Sequence, residues 1–141
     1  MKSLTAHLYE AIKDPARIFI IIKPGFFKHT KEILEMFAEE GWKIERSTTK
    51  QLLLSEAKTL YKIHKDEKWY QPLCEYMSSE PTTAFILRND DLDMSPEIFK
   101  QTNAIKDRVR EKYGESDMRN VMHSSDSIQH MQQERSVYFS F

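Results

Sequence analysis

Arg17-Ile18-Phe19-Ile20-Ile21-Ile22-Lys23 is apolar at every interior position, with none of the alternation of a strand that has one wet face. Its β-branched density, and the prolines that bound it at Pro15 and Pro24, make it a buried strand at the centre of a sheet. Lys23 stands at its C-terminal end, where open sheets commonly receive ligands. On the N-terminal side, Leu4, Leu8 and Ile12 repeat at helical spacing until Asp14-Pro15 stops them. Residues 1–16 therefore read as a helical N-terminal extension and residues 17–141 as the domain.

On the C-terminal side, Ile33, Leu34, Phe37 and Ala38 line one face of a helix over 31–40, which Gly41 ends. Residues 42–53 read as a strand with one partly exposed face. Ser55 caps a helix bearing Ala57, Leu60 and Tyr61, and Trp69, Tyr70, Leu73, Tyr76 and Met77 stripe the next one up to Pro81. Residues 82–87 form a second clear strand, followed by an acidic loop over 89–94. Ser95-Pro96-Glu97 starts a short helix. Thr102-Asn103 opens another, with Ile105, Val109 and Tyr113 inward. Residues 116–122 read as extended, 124–135 as helix and 137–141 as an extended tail. The order β-α-β-α-α-β-α-α-β-α predicts an α+β, ferredoxin-like sandwich: a four-stranded antiparallel sheet with helices on one face.

At 141 residues the chain is one domain with room for a real core. Its net charge of −1 gives no electrostatic basis for general nucleic-acid binding. Neither strand offers exposed aromatics in a basic setting, which argues against a ferredoxin-like RNA binder. The longest apolar run, residues 18–22, is far too short to span a membrane. The single cysteine, Cys74, excludes an internal disulfide and points to a reducing, cytoplasmic setting. His7, His29, His64 and His130 show no metal-ligand clustering.

Arg119-Asn120-Val121-Met122-His123-Ser124-Ser125-Asp126-Ser127 places one histidine between a short apolar step and a cluster of helix-capping residues. His123 should sit where strand or loop gives way to helix, a setting whose free N–H groups favour an anion. Imidazole is largely neutral near pH 7 and is a competent nucleophile. A Ser/His/Asp hydrolase reading fails, because no glycine elbow surrounds a serine here.

Asn120-x-x-His123-x-Ser125-Asp126-Ser127 resembles the active-site signature of the nucleoside diphosphate kinases, and Asp117-Met118-Arg119-Asn120 resembles the divergent members of that family. Other landmarks follow in order. Ile21-Ile22-Lys23-Pro24 is similar to the family's first strand. Tyr61 and residues 65–70 resemble its helical hairpin, and residues 75–81 its Tyr-Met-x-Ser-Gly-Pro turn. Thr102-Asn103 and Arg110 fall near its phosphate contacts, and Glu134 follows His123 at its glutamate spacing.

The resemblance implies a ping-pong kinase in which His123 takes the γ-phosphate of a nucleoside triphosphate and passes it to a diphosphate. It implies Mg²⁺ held mainly by nucleotide phosphates, with no protein metal ligand, and a homo-oligomer. Lys23 would neutralise charge and touch the ribose, Arg110 and Thr102 would hold phosphate oxygens, and Asn120 would bond the sugar. Glu134 would fix the tautomer of His123, with Tyr61 and Ser125 close by. Trp69 would stack on any base. Competing readings are a solvated helix face for Arg110, plain packing for Tyr61 and Trp69, a solvated strand end for Lys23, and a surface ion pair of Glu134 with Arg135.

The chain departs from the family at Gly25, where Lys-Pro is followed by Asp, and at Ser124, where the histidine is followed by glycine. It departs also at Ala104, where Thr-Asn is followed by proline, and near Pro96-Glu97, where no arginine occurs. These departures support a second reading, a weakly active or inactive nucleotide-binding or protein-interaction module on the same fold.

Overall fold

The computed structural model describes residues 14–140. The helix expected over 3–12, and with it most of the extension, lies outside them. The elements are β1 (Pro15–Ile22), α1 (Thr30–Ala38), β2 (Lys43–Lys50), α2 (Leu54–Leu60), α3 (Tyr70–Met77), β3 (Thr82–Asp93), α4 (Glu97–Tyr113), β4 (Met122–Ser124) and α5 (Ile128–Arg135), with short 3-10 turns before α1 and α3. The four-stranded sheet runs β2-β3-β1-β4, and every neighbouring pair is antiparallel. This is the expected ferredoxin-like α+β sheet, with β1 at its middle.

Helices cover both faces of that sheet rather than one. Ala16, Ile18, Ile20 and Ile22 face Ile33 and Phe37 of α1 and Ile98, Phe99, Ile105 and Val109 of α4. Phe19 and Ile21 face Ala57 and Leu60 of α2, Leu73, Cys74 and Met77 of α3, and Met131 of α5. The unbroken apolar run of β1 has this cause: alternate side chains leave a strand on opposite sides, and here both sides are core.

The remaining differences are local. β3 runs on through residues 89–93, where a loop was expected. Ala16 pairs with Asn89 across a bulge, and the Asn89 amide donates to the Glu40 carbonyl at 2.9 Å. Residues 97–113 form one helix, not two. The helix after β2 begins at Leu54, and the Glu56 carboxylate accepts the Leu53 N–H at 2.9 Å, so Ser55 lies inside that helix instead of capping it. Residues 137–140 do not extend as a strand. Turns fold them back, and Tyr138 and Phe139 pack on Phe19 with ring centroids 5.8 and 6.4 Å away.

Candidate active site

β4 carries the histidine. It pairs with β1 so that His123 lies opposite Ile21, while Met122 and Ser124 on either side are buried. Strand alternation therefore turns His123 outward into a cleft of about 440 Å³. The turn into β4 is strained: Val121, fully buried and β-branched, has φ 82°, and its carbonyl accepts the Lys23 N–H at 2.9 Å. α5 starts only at Ile128, capped by the Ser127 hydroxyl, which accepts the His130 N–H at 3.1 Å. That later start brings Glu134 back over His123.

Nε2 of His123 lies 3.1 Å from Oε2 of Glu134, and the buried Ser125 hydroxyl donates to the same oxygen. A carboxylate at Nε2 favours the proton there and leaves the Nδ1 lone pair available. The buried Tyr61 ring stands edge-on to the imidazole, 5.5 Å between centroids, and its hydroxyl has no partner among the described residues.

Cations gather beside this pair. Lys23, only 5% exposed, donates to Asn120 Oδ1 at 2.6 Å and to the Met118 carbonyl at 3.4 Å. Burial, with Arg110 and then Lys106 nearby, lowers the Lys23 ammonium to about 7. The Asn120 amide in turn donates to the Asp117 carbonyl at 2.9 Å, fixing the loop. Arg110 donates to the Met122 carbonyl at 2.8 Å, and its buried Nε has no partner among the described residues. Burial lowers its guanidinium as well. Trp69, 45% exposed, stands at the mouth with its ring 4.8 Å from that of His64.

Lys23, Tyr61, Trp69, Arg110, Asn120, His123 and Glu134 thus border one cleft, with Ser125 directly behind. Thr102 is not among them. It is 1% exposed, and its hydroxyl donates to the Ile98 carbonyl at 3.0 Å within α4. The phosphate role that the resemblance implied for it is therefore corrected. A proline at 104 would stop the helix, but Ala104 lets α4 run through, so Thr102 faces the core.

Two further departures have visible reasons. Gly25 has φ +89°, and a Cβ there would meet the Arg119 guanidinium at 2.7 Å. That guanidinium lies over the Phe26 and Tyr76 rings and pairs with Glu115 at 2.7 Å. Ser124 is an ordinary strand residue paired with Ile20, so no glycine is required after the histidine.

Sequence reasoning gave no site role to the Asp126–His130 pair, which lies at 2.7 Å on the cleft wall, or to Met118, which also lines the cleft. The i, i+4 spacing of Asp126 and His130 within the helix expected over 124–135 was the available signal. Two of the carboxylates that line the cleft are already engaged, Asp126 by His130 and Glu134 by His123 and Ser125, and the third is Asp117. No group of three or more His, Cys, Asp or Glu among the described residues could hold a metal. The donor set does not fit a protein-held ion.

The fold and the site define a class: a ferredoxin-like α+β domain with a carboxylate-held histidine in a cleft that Lys23 and Arg110 also line. The nucleoside diphosphate kinase family profile matches residues 16–141. The nucleoside diphosphate kinase of Jannaschia sp. (strain CCS1) is 32% identical over 130 residues, 88% of this chain and 93% of its own. That of Methanosphaera stadtmanae is 34% identical over 131 residues, covering 87% and 85%. A crystal structure of the Aquifex aeolicus nucleoside diphosphate kinase superimposes with a TM-score of 0.77 at 26% identity, over 89% of this chain and 95% of that one. The chain belongs to the nucleoside diphosphate kinase family.

Proposed function

We propose that this chain is a nucleoside diphosphate kinase that works through a phosphohistidine at His123. The observation that carries the reading is the Glu134–Nε2 contact, which leaves the Nδ1 lone pair available in a cleft that Lys23 and Arg110 also line. Nδ1 attacks the γ-phosphorus in line, the bond to the β-phosphate oxygen breaks, and the diphosphate leaves with that electron pair. The imidazole becomes a cationic N-phosphoryl ring, and Glu134 offsets its charge. A second diphosphate reverses the step. Little covalent work is needed beyond the nucleophile, so positioning and charge neutralisation dominate. Lys23 and Arg110 neutralise phosphate oxygens, the Tyr61 hydroxyl donates to the transferring group, Asn120 holds the sugar, and Trp69 stacks on the base. Magnesium enters with the nucleotide, on its phosphate oxygens.

β2 is an outer strand and, among the described residues, pairs only with β3, an edge that supports a homo-oligomer. No helix of the described residues is long and apolar enough to cross a membrane. The single buried thiol, Cys74, supports a cytoplasmic setting.

The test is incubation with γ-labelled ATP and Mg²⁺. Wild type should gain an acid-labile, base-stable label that chases onto added GDP, and His123→Ala should gain none while unfolding at the same temperature. Label retained in His123→Ala overturns the mechanism. Nucleotide binding without any label in wild type leaves a binding module rather than a kinase.

A further inference from the structure

We infer that His130, held by Asp126, is a further phosphate-binding residue of the cleft, its Nε2 meeting the phosphate chain of the nucleotide beside His123. The inference rests on the nucleotide reading given above and adds a residue which that reading does not use.

The geometry begins with α5. One face of this helix looks toward the nucleophile, because Glu134 on it reaches Nε2 of His123 at 3.1 Å. His130 comes four residues before Glu134. Side chains at that spacing stand one above the other on a helix, with Cβ atoms about 5–6 Å apart. His130 is therefore one turn along the same face, and it lines the same cleft of about 440 Å³ as Lys23, Arg110 and His123. Its ring is held in place. Nδ1 lies 2.7 Å from Oδ1 of Asp126, and the His130 backbone N–H donates to the Ser127 hydroxyl at 3.1 Å. Asp126 is exposed and His130 half-buried. Nε2 of His130 makes no hydrogen bond among the described residues.

Asp126 acts on this imidazole in two ways. It accepts from Nδ1, which orients the ring and leaves Nε2 as the free polar atom. Its negative charge also favours a second proton on the ring. The hydrogen bond from His130 is in turn the main cause that holds the Asp126 carboxyl below its usual range, so the carboxylate stays ionised. Glu134, the other carboxylate on this face, is occupied by His123 and Ser125 and does not compete for Nε2. A phosphate oxygen entering beside His123 is an acceptor for the Nε2 proton, and the contact is charge-assisted on both sides. It should depend on the outer phosphates, which are the ones brought to His123 for transfer.

The experiment titrates AMP and ADP, each with Mg²⁺, by calorimetry into wild type, His130→Ala, His130→Gln, Asp126→Ala and the double variant Asp126→Ala/His130→Ala. ADP serves because it does not phosphorylate His123 during the titration. His130→Ala should weaken ADP about tenfold and AMP by less than about twofold. His130→Gln keeps an amide N–H near the position of Nε2 and should recover part of the loss. Asp126→Ala should weaken ADP as well, and the double variant should bind ADP no worse than His130→Ala, because Asp126 acts through the ring. All should unfold close to the wild-type temperature, since an ion pair this exposed adds little stability. ADP binding unchanged in His130→Ala, an equal loss for AMP and ADP, or losses that add in the double variant overturn the assignment. A wild-type protein that gains no affinity from mono- to diphosphate overturns the nucleotide reading itself, and with it this one.

Discussion

Lys23 ties the stability of the protein to pH. Its ammonium is buried beside Arg110 and Lys106 and titrates at about 7, whereas an unfolded chain holds that proton to about 10.4. Its two acceptors, Asn120 Oδ1 and the Met118 carbonyl, do not offset the loss of water and two neighbouring cations. Between these values the unfolded state binds the proton that the folded state has released, so stability rises with pH across the window. Below about 7 both states are protonated and the cost of the buried charge is fully present. The nucleotide-free protein should therefore unfold at a higher temperature at pH 9 than at pH 6. Lys23→Met should lack that part of the rise. An identical slope in both proteins would place the titration on another group. Bound phosphate works the other way, since it favours the charged lysine, and nucleotide affinity should fall over the same window.

At the scale of elements, α4 carries the consequence of Ala104. Residues 97–113 form an unbroken helix because Ala104 keeps its N–H and clears the carbonyl one turn earlier. The continuous helix buries Thr102 and carries Arg110 to the cleft. Ala104→Pro restores the residue that the family carries there, in a chain that no longer has a loop to receive it. It should cost about 3 kcal/mol or more, read as a lower denaturant midpoint. Nucleotide binding should fall with it, because Arg110 loses its anchorage at Met122. An Ala104→Pro protein of wild-type stability would show that α4 is not continuous in solution. Gly25 acts at the same scale: its positive φ lets the turn after β1 close over Arg119, and Arg119 stacks between Phe26 and Tyr76. That contact ties the Lys23 turn to the loop carrying Asn120.

The whole molecule is a sheet with a core on each face, joined through β1. Phe19 belongs to the core that backs the cleft. It is fully buried against Tyr138 and Phe139, and its carbonyl accepts the Ser125 N–H at 3.2 Å. Phe19→Ala should destabilise by about 3–5 kcal/mol, measured by denaturant unfolding, with the C-terminal turns loosened as well. A loss under about 1 kcal/mol would mean that the cavity collapses without cost. The sequence by itself determined the buried central strand, the α+β order and the residues that gather around His123. Apolar runs, spacing and a dense local signature are properties of neighbouring residues, and they can be read along a chain. The tertiary structure alone decided that helices cover both faces and that β3 outruns its apolar segment. It also decided that Thr102 turns to the core while Asp126 and His130 come to the site. Each of these depends on which face of an element meets which partner. A helix extended by a few residues rotates every side chain by about 100° per position, so periodicity can name the face only after the boundaries are known.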